Sequence, residues 1–274
     1  MKTPINLKKD YKNIKNLFPY SLNSLLPKKK FAFTLAEGAT HVDMLPTTAK
    51  LAFTLAEVLI TLGIIGIVAA MTIPTLITNY QKHITVTKLQ KAISVLNQAY
   101  KLSYDDVGEP SAPEAFAMGA EDYFKKYWAP YIKSAIICTT PQMCGYKTNT
   151  PWKMANGNQV TTVATNPTMR TTFYTPDGFL YIIFTGGGSS ATESGYTDRR
   201  WVYVDINGGE GPNIYGRDLF ELTRIEKDGG GIQPQGYDLD SAVINKSCSK
   251  KSAGNLCAEK IRRAGWNIEK DYPW

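Results

Sequence analysis

The hydrophobic pattern of the chain is dominated by one long segment, Phe53–Ile77. From Phe53 to Ile73 this segment is apolar apart from a single charge, Glu57. As an α-helix, Phe53–Ile73 covers roughly 30 Å, about the thickness of the hydrocarbon core of a bilayer. A helix buried in a large soluble core has a similar pattern, but seldom at this length without polar interruption. The segment therefore predicts a membrane-spanning helix.

After Pro74 the pattern becomes one-sided, with a period close to 3.6 residues, which predicts that the helix continues as an amphipathic helix to about Ser103. Its polar side carries Lys, Gln and His side chains, and His83 is predicted to be solvated rather than a metal ligand. The apolar side consists of Ile77, Tyr80, Ile84, Leu89, Ala92, Ile93, Leu96 and Tyr100. A helix of roughly 50 residues whose second half must pack on another element is expected.

The start of the apolar segment carries a short motif, Ala52-Phe53-Thr54-Leu55-Ala56-Glu57. A small residue, Phe, Thr, Leu, any residue and Glu, followed by an apolar run, resembles the processing and methylation motif of type IV pilins and type II secretion pseudopilins. The resemblance implies cleavage between Ala52 and Phe53 by a membrane prepilin peptidase and N-methylation of Phe53. Ala52 departs from the Gly that this family prefers before the cut.

The same resemblance implies roles for four residues in assembly. Glu57 would be the fifth mature residue and would pair with the α-amino group of Phe53 in a neighbouring subunit. Gly63 and Gly66 would let neighbouring helices approach closely. Pro74 removes a backbone hydrogen bond and is expected to kink or locally melt the helix. A Glu reaching the headgroup layer, and Gly and Pro without any special role, are the alternatives.

The net charge of +7 is concentrated before the apolar segment. Residues 1–52 hold nine lysines and three acidic residues, a net of +6, so the remainder carries only +1. Lysines that precede an apolar helix keep that side of the membrane cytoplasmic. The near-neutral remainder argues against nucleic-acid binding. We therefore expect a cytoplasmic N-terminus, an inner-membrane helix and a head on the far side.

Residues 1–52 also contain an internal repeat, because AFTLAE occurs at Ala32–Glu37 and again at Ala52–Glu57. The first copy is followed by a polar stretch that is too polar to span a membrane. We interpret this copy as a duplicated or vestigial leader. Translation from Met44 would leave a nine-residue leader, so the true start is either Met1 or Met44.

All four cysteines lie after the apolar segment: Cys138, Cys144, Cys248 and Cys257. An even number on the translocated side predicts two disulfides in an oxidising compartment. Three pairings are possible. The short loops favour Cys138–Cys144 with Cys248–Cys257. Free thiols and a zinc site are the alternatives, although zinc knuckles usually have closer spacing.

The remainder of the chain, residues 104–274, which we call the head, mixes predicted helices and strands. Helices are predicted near Glu114–Trp128 and Leu256–Ala264, and Lys227–Gly236 is predicted to be turns. A hairpin is predicted from Thr171–Tyr174 and Phe179–Phe184 around Pro176-Asp177-Gly178, with further strands at Trp201–Ile206 and Asp218–Ile225. The glycine-rich stretch after Thr185 lacks a phosphate-loop pattern and predicts a flexible loop.

One loop of the head has the composition of a cation site. Oxygen-bearing side chains alternate with glycines in DINGGEGPN, followed by Gly216-Arg217-Asp218. Asp205, Asn207 and Asp218 are the side chains that would hold calcium. A similar loop occurs in some pseudopilin-like proteins, and the major pseudopilin binds calcium in a C-terminal loop. Asx and Gly residues also form tight turns without a metal, so both alternatives stay open.

No catalytic motif is found, and the chain has only two histidines, His41 and His83. The sequence therefore predicts a protein that is not an enzyme and requires no cofactor. An exposed aromatic patch near Tyr174, Tyr181, Trp201 and Tyr203 would instead favour ligand binding.

Together these features predict an α+β fold in which a long N-terminal helix packs on a small antiparallel sheet, as in the lollipop-shaped pilins. The predicted parts are a leader (1–52), a membrane helix (53–76), its amphipathic continuation (77–103) and the head (104–274). The predicted function is a structural subunit of a pseudopilus or type IV pilus-like filament. The resemblance implies as partners further copies and other pilin-like subunits, prepilin peptidase, an assembly ATPase and a platform protein. The alternative is a minor pilin or a membrane-tethered binding module.

Overall fold

The structure, a computed structural model, describes residues 53–110, 118–161, 165, 169–185, 201–225 and 230–274. The predicted leader with its AFTLAE repeat, Ala52 and both possible starts lies outside the described residues. Most of the predicted glycine-rich loop after Thr185 also lies outside them. Backbone contacts divide the chain into Met1–Leu55 and Ala56–Trp274. Apart from Leu55, the first residue of the long helix, the second unit contains all the elements described below.

A single helix, α1, runs from Leu55 to Val107 over 53 residues. The prediction of one long helix is confirmed, and it ends four residues beyond the predicted Ser103. The helix continues through Pro74 without interruption, so the predicted local melting at this residue does not occur. The residues of α1 that are buried recur every three or four positions: Thr85, Val86, Leu89, Ala92, Leu96, Ala99, Tyr100 and Ser103. This one-sided burial matches the predicted amphipathic half.

The head contains a six-stranded antiparallel sheet in which every strand pairs with its sequence neighbours. The fold class is therefore α+β, as predicted. The strands are β1 Ile136–Ile137, β2 Arg170–Tyr174, β3 Leu180–Phe184, β4 Trp201–Asp205, β5 Leu219–Ile225 and β6 Gly231–Pro234.

The predicted hairpin is confirmed as β2 and β3, with Thr172 opposite Ile182. Gly178 closes the turn at a φ of 84°, a conformation that favours glycine. The prediction of turns over Lys227–Gly236 is wrong for its second half, because β6 lies there and pairs with β5. The two-residue strand β1 was not predicted.

Three short helices complete the head: α2 Ala120–Tyr127, α3 Ser241–Ser247 and α4 Cys257–Arg263. Two of them lie within predicted helices. Helix α2 begins six residues later than the predicted Glu114. Residues 111–117 lie outside the described residues. Helix α3 was not predicted.

Apolar residues pack on both faces of the sheet. One face, with Phe173, Tyr181 and Phe220, packs together with α1 residues such as Leu89 and Leu96. The other face is covered by a second cluster that includes Tyr146, Trp152 and Tyr203. Strand β3 is therefore buried over its whole length. The sheet is therefore a middle layer of the head.

The amide of Asn97 joins α1 to the edge of the sheet. Its Nδ2 donates to the carbonyl oxygen of Ile232 at 3.0 Å, and its Oδ1 accepts the N–H of Ile232 at 2.9 Å. A side-chain amide thus satisfies both backbone polar groups of a residue in the edge strand β6.

Two disulfides close short loops in the head. The structure pairs Cys138 with Cys144 and Cys248 with Cys257, and the described residues include no free cysteine. This is the pairing that the short loops favoured. The alternative of a zinc site formed by these four cysteines is therefore wrong.

Candidate functional site

The first half of α1 is exposed on every side. No residue from Phe53 to Ile84 is buried, and large apolar side chains such as Leu62 and Ile65 are about three-fifths exposed, at 60% and 62%. Among the described residues, α1 is the helix that is long and apolar enough to cross a membrane. An apolar surface of this extent is not stable in water and requires a bilayer or other protein surfaces as its partner.

Glu57 lies in the first turn of this exposed half. A carboxylate in the first turn interacts favourably with the positive end of the helix dipole. This interaction alone does not explain why an acidic residue occurs in an otherwise apolar segment. Phe53 lies just before α1, and 83% of its surface is exposed. The predicted processing residue Ala52 lies outside the described residues.

Gly63 and Gly66 lie one turn apart on α1, where nothing within the described chain requires a glycine. A Cβ atom added at either position would meet no atom within 4 Å. Glycine in a helix interior costs about 0.5–1 kcal/mol relative to alanine, so it is unfavourable within an isolated subunit. Close packing of another helix against α1 would explain both glycines, because small residues let helix backbones approach each other.

The loop that follows β4 brings together the three predicted calcium ligands, Asp205, Asn207 and Asp218. Asp205 ends β4, and its Oδ1 accepts the N–H of Asn207 at 3.3 Å. The two oxygens of Asp218 accept the N–H groups of Asn213 and Ile214 at 2.7 and 2.6 Å. These bonds fix the loop in the way that Asx residues fix turns, which supports the structural alternative.

Tyr146, from a distant loop, also bonds to Asp205, and Trp152 in turn bonds to Tyr146. The hydroxyl of Tyr146 donates to Asp205 Oδ2 at 2.8 Å, and Trp152 Nε1 donates to the Tyr146 oxygen at 3.1 Å. All three side chains are buried. Tyr146 and Trp152 were not predicted, because Tyr146 lies 59 residues from Asp205 and no local sequence pattern connects the two.

Two close contacts fix the same loop between the disulfides. Gly209 lies so near Gly145, the residue after Cys144, that an added Cβ would be 2.2 Å from the Gly145 backbone. Gly216 packs against the other disulfide, where an added Cβ would be 2.7 Å from Cys257 Sγ. The hydroxyl of Tyr272 donates to the Gly216 carbonyl oxygen. Only glycine fits at either contact.

The electrostatics of the loop are unbalanced. Burial raises the pKa of Asp205 well above its usual range, and the negative charge of Asp218 adds to the shift, although hydrogen bonds from Tyr146, Asn207 and Gly208 oppose it. Burial also raises the pKa of Asp218. Among the described residues, no cationic side chain forms an ion pair with either carboxylate.

A hard cation fits this set of groups in two respects. It would supply the missing positive charge, and Oδ1 of Asn207 is a buried oxygen that no described group bonds. Asp205, Asn207 and Asp218 would then be its protein ligands. No group of three or more His, Cys, Asp or Glu residues with metal-site geometry occurs in the described residues. Calcium binding therefore stays a prediction, and a hydrogen-bonded turn without a metal is the alternative.

The aromatic patch that would favour ligand binding is not exposed. Tyr181 and Tyr203 are buried, and they belong to the clusters on opposite faces of the sheet. Tyr174 and Trp201 are partly buried against the second cluster. These four side chains contribute to packing and do not form one binding surface.

Comparison with known proteins gives one partial match. The model of a family of unknown function (DUF6613) matches residues 75–183, which is less than half of the chain. The match begins directly after Pro74 and ends in β3, so it excludes the processing motif and includes the amphipathic half of α1. Neither the search of curated proteins nor that of solved structures gives a match.

Proposed function

We propose that this chain is a prepilin-like structural subunit, processed at Phe53 and assembled through α1 into a type II secretion pseudopilus or a type IV pilus-like filament. One observation supports this proposal above the others. A sequence that resembles a processing motif covers the start of a helix whose first 30 residues have no buried side chain in the subunit itself.

Such a subunit lies in a membrane before assembly and in a filament afterwards, and the exposed apolar half of α1 suits both environments. In the membrane, hydrocarbon surrounds its apolar sides, because a helix satisfies all of its own backbone polar groups. In a filament, neighbouring helices replace the lipid. A head-to-tail interface between identical subunits gives a helical polymer when its rotation does not close a ring, and this is the arrangement proposed here. We include in this proposal the lollipop arrangement of the pilins, in which a long N-terminal helix packs on a small antiparallel sheet.

Glu57 and Phe53 provide the proposed specificity of assembly. A carboxylate in hydrocarbon costs several kcal/mol unless it is paired. Cleavage after Ala52 creates an α-amino group at Phe53, four residues before Glu57. Pairing of this group with Glu57 of the adjacent subunit satisfies both charges and sets the axial position of each added subunit.

The proposed location follows from the distribution of charge and cysteine. The lysine-rich leader stays in the cytoplasm, α1 spans the inner membrane, and the disulfide-bonded head lies in the oxidising compartment beyond it. Prepilin peptidase, an assembly ATPase and a platform protein are the proposed partners. No catalytic activity is proposed for the chain itself.

Intact-mass and N-terminal measurements test the proposal directly. The full-length chain is expressed with and without a prepilin peptidase, and the membrane form is isolated. We expect a chain that begins with N-methyl-Phe53 only when the peptidase is present. The AFTLAE copy at Ala32–Glu37 is an internal control, because the same six residues there should remain uncut.

A variant sharpens this measurement. Ala52→Gly restores the residue that the family prefers and should make cleavage at least as complete. A chain that remains uncut in both forms would contradict the proposal and would favour the alternative, a membrane-tethered binding module.

A further inference from the structure

Aromatic and cationic side chains surround α1 directly after its apolar segment. On one side, a groove of about 360 Å³ lies between Ile77 and Tyr80 of α1 and the residues Arg217 and Trp274 of the head. On the other side, a pocket of about 500 Å³ lies between Lys82 of α1 and Trp266. We call Tyr80, Lys82, Arg217, Trp266 and Trp274 the collar.

The aromatic residues of the collar are partly buried and partly wet. Trp266 and Trp274 pack at the margin of the main core but keep part of their surface exposed, and Tyr80 is 65% exposed. Trp and Tyr side chains with one apolar and one solvated end are enriched where a membrane protein crosses the boundary between lipid and water.

Trp266 is held in a conformation that is unusual for a bulky residue. Its φ is 60°, in the left-handed region that favours glycine. It follows α4, and its N–H donates to the carbonyl oxygen of Ile261 at 2.9 Å. Residues in this region cost free energy and are often found at functional sites. Trp266 lines the same pocket as Lys82 and His83 of α1.

The charge along the collar's part of α1 is positive. Between Val58 and Tyr104 the sequence contains four lysines and no acidic residue. Lys82 and Arg217 form no ion pair with a carboxylate among the described residues. The acidic residue in the groove, Asp218, is buried, and backbone N–H groups bond both of its oxygens. Arg217 lies 5.5 Å from the centre of the Trp274 ring.

The position of the collar along α1 matches the headgroup layer of a bilayer. If hydrocarbon ends at Ile77, Tyr80 lies about 4.5 Å and Lys82 about 7.5 Å farther along the helix axis. The headgroup layer is roughly 5–8 Å thick on each side of the hydrocarbon. Helical side chains also tilt toward the N-terminus, which here is toward the membrane.

We propose that the collar binds anionic phospholipid headgroups of the bilayer that α1 spans, so that the head rests on the membrane surface before assembly. The apolar and aromatic surfaces of the groove continue the membrane-embedded surface of α1, and the cations complement the lipid phosphates. The inference rests on the membrane-spanning part of the proposed function and is independent of processing and filament formation.

Tryptophan quenching by brominated lipids tests this proposal in the full-length chain. The protein is reconstituted into vesicles of phosphatidylcholine, with or without phosphatidylglycerol, and the lipids carry bromine at shallow or deep acyl positions. We expect shallow bromine to quench fluorescence in vesicles that contain phosphatidylglycerol. Trp266→Phe and Trp274→Phe should each remove part of that quenching.

Charge variants test the role of the lipid phosphate. Lys82→Gln and Arg217→Gln should each lower the docked population about fivefold, the effect expected for one cation near an anionic surface. Lys101→Gln is the matched control, since Lys101 is exposed on the same helix but roughly 36 Å beyond Ile77. It should have no effect.

Three results would overturn the proposal. Unquenched Trp266 and Trp274 in a protein that resists extraction by carbonate would show that α1 spans the bilayer but that the head does not rest on it. Equal quenching in neutral and anionic vesicles would exclude recognition of anionic headgroups. A protein that does not insert at all would instead contradict the membrane-spanning part of the proposed function.

Discussion

The two halves of α1 share one continuous helix but differ in the partner that their side chains find. From Thr85 to Ser103, eight of nineteen residues are buried against the head, whereas no residue from Leu55 to Ile84 is buried. Both halves contain large apolar residues. The second half is therefore explained by the fold of the subunit, and the first half must be explained by something outside it.

The largest expected effect is on assembly, through the first half. Glu57→Ala would leave the proposed Phe53 amine without its carboxylate in an apolar environment, at a cost of several kcal/mol. We expect normal insertion and cleavage but a filament yield lower by roughly 100-fold. Electron microscopy and quantification of sheared filaments would measure this. Glu121→Ala, which removes a surface acid of α2, is the control, and a normal yield from Glu57→Ala would contradict the pairing.

Truncation of a leucine in each half should affect opposite properties. Leu96 is completely buried and Leu62 is 60% exposed. Leu96→Ala should lower the free energy of unfolding of the head by about 2–5 kcal/mol because it leaves a cavity. Leu62→Ala should change it by less than about 0.5 kcal/mol. Denaturant unfolding in detergent would compare the two, and equal losses would show that the first half is also packed within the subunit.

A third prediction concerns pH and is restricted to the head. Burial raises the pKa of Glu221 to about 7, although the Asn255 amide lowers it in part. The folded state therefore binds this proton more tightly than the unfolded state. The resulting stability is complete below about pH 4.5 and is lost as the pH rises to about 7, a change of about 3 kcal/mol.

Glu221→Gln isolates this effect. The variant should match the unsubstituted protein near pH 4.5 and should be the more stable of the two by about 3 kcal/mol at pH 8. Asp238→Asn, at an exposed position of the same head, is the control. Denaturant unfolding at several pH values would measure the difference. A pH-independent difference between the two proteins would show that Glu221 does not titrate in this way.

The smallest expected effect comes from calcium at Asp205, Asn207 and Asp218. At a concentration about tenfold above the dissociation constant, a bound ion adds roughly 1.4 kcal/mol. We expect the melting temperature of the head to rise by about 3–6 °C. Glu210→Gln, at an exposed position in the same loop, should not change the response. An identical melting temperature with chelator would leave the loop as a hydrogen-bonded turn.

The elements that the sequence predicted correctly are those with a local pattern. The period of α1 and the alternation and turn residues of β2–β3 are both contained in short windows. Strand β6 reads as a turn because Gly231 and Pro234 are poor strand residues. It forms through pairing with β5 and through Asn97, which lies 135 positions away from Ile232.

The candidate sites divide in the same way. Phe53 and Glu57 were identified from a motif, and the two helix glycines from their place in an apolar helix. Asp205, Asn207 and Asp218 were identified from the composition of one loop. Tyr146 and Trp152, and the contact of Gly209 with Gly145, depend on the path of the whole chain. Such contacts have no counterpart in any short stretch of sequence.

The hydrogen bonds from Asn97 of α1 to the edge strand β6 limit how copies of this chain can associate. Open sheet edges are templates on which further strands add, and proteins avoid aggregation by shortening or covering them. Here β1 has only two residues, while β6 ends in Pro234 and has its Ile232 backbone already bonded by α1. Growth by strand addition is blocked at both edges of the sheet. In the proposed filament, subunits would therefore add through α1 and not by amyloid-like stacking of their sheets.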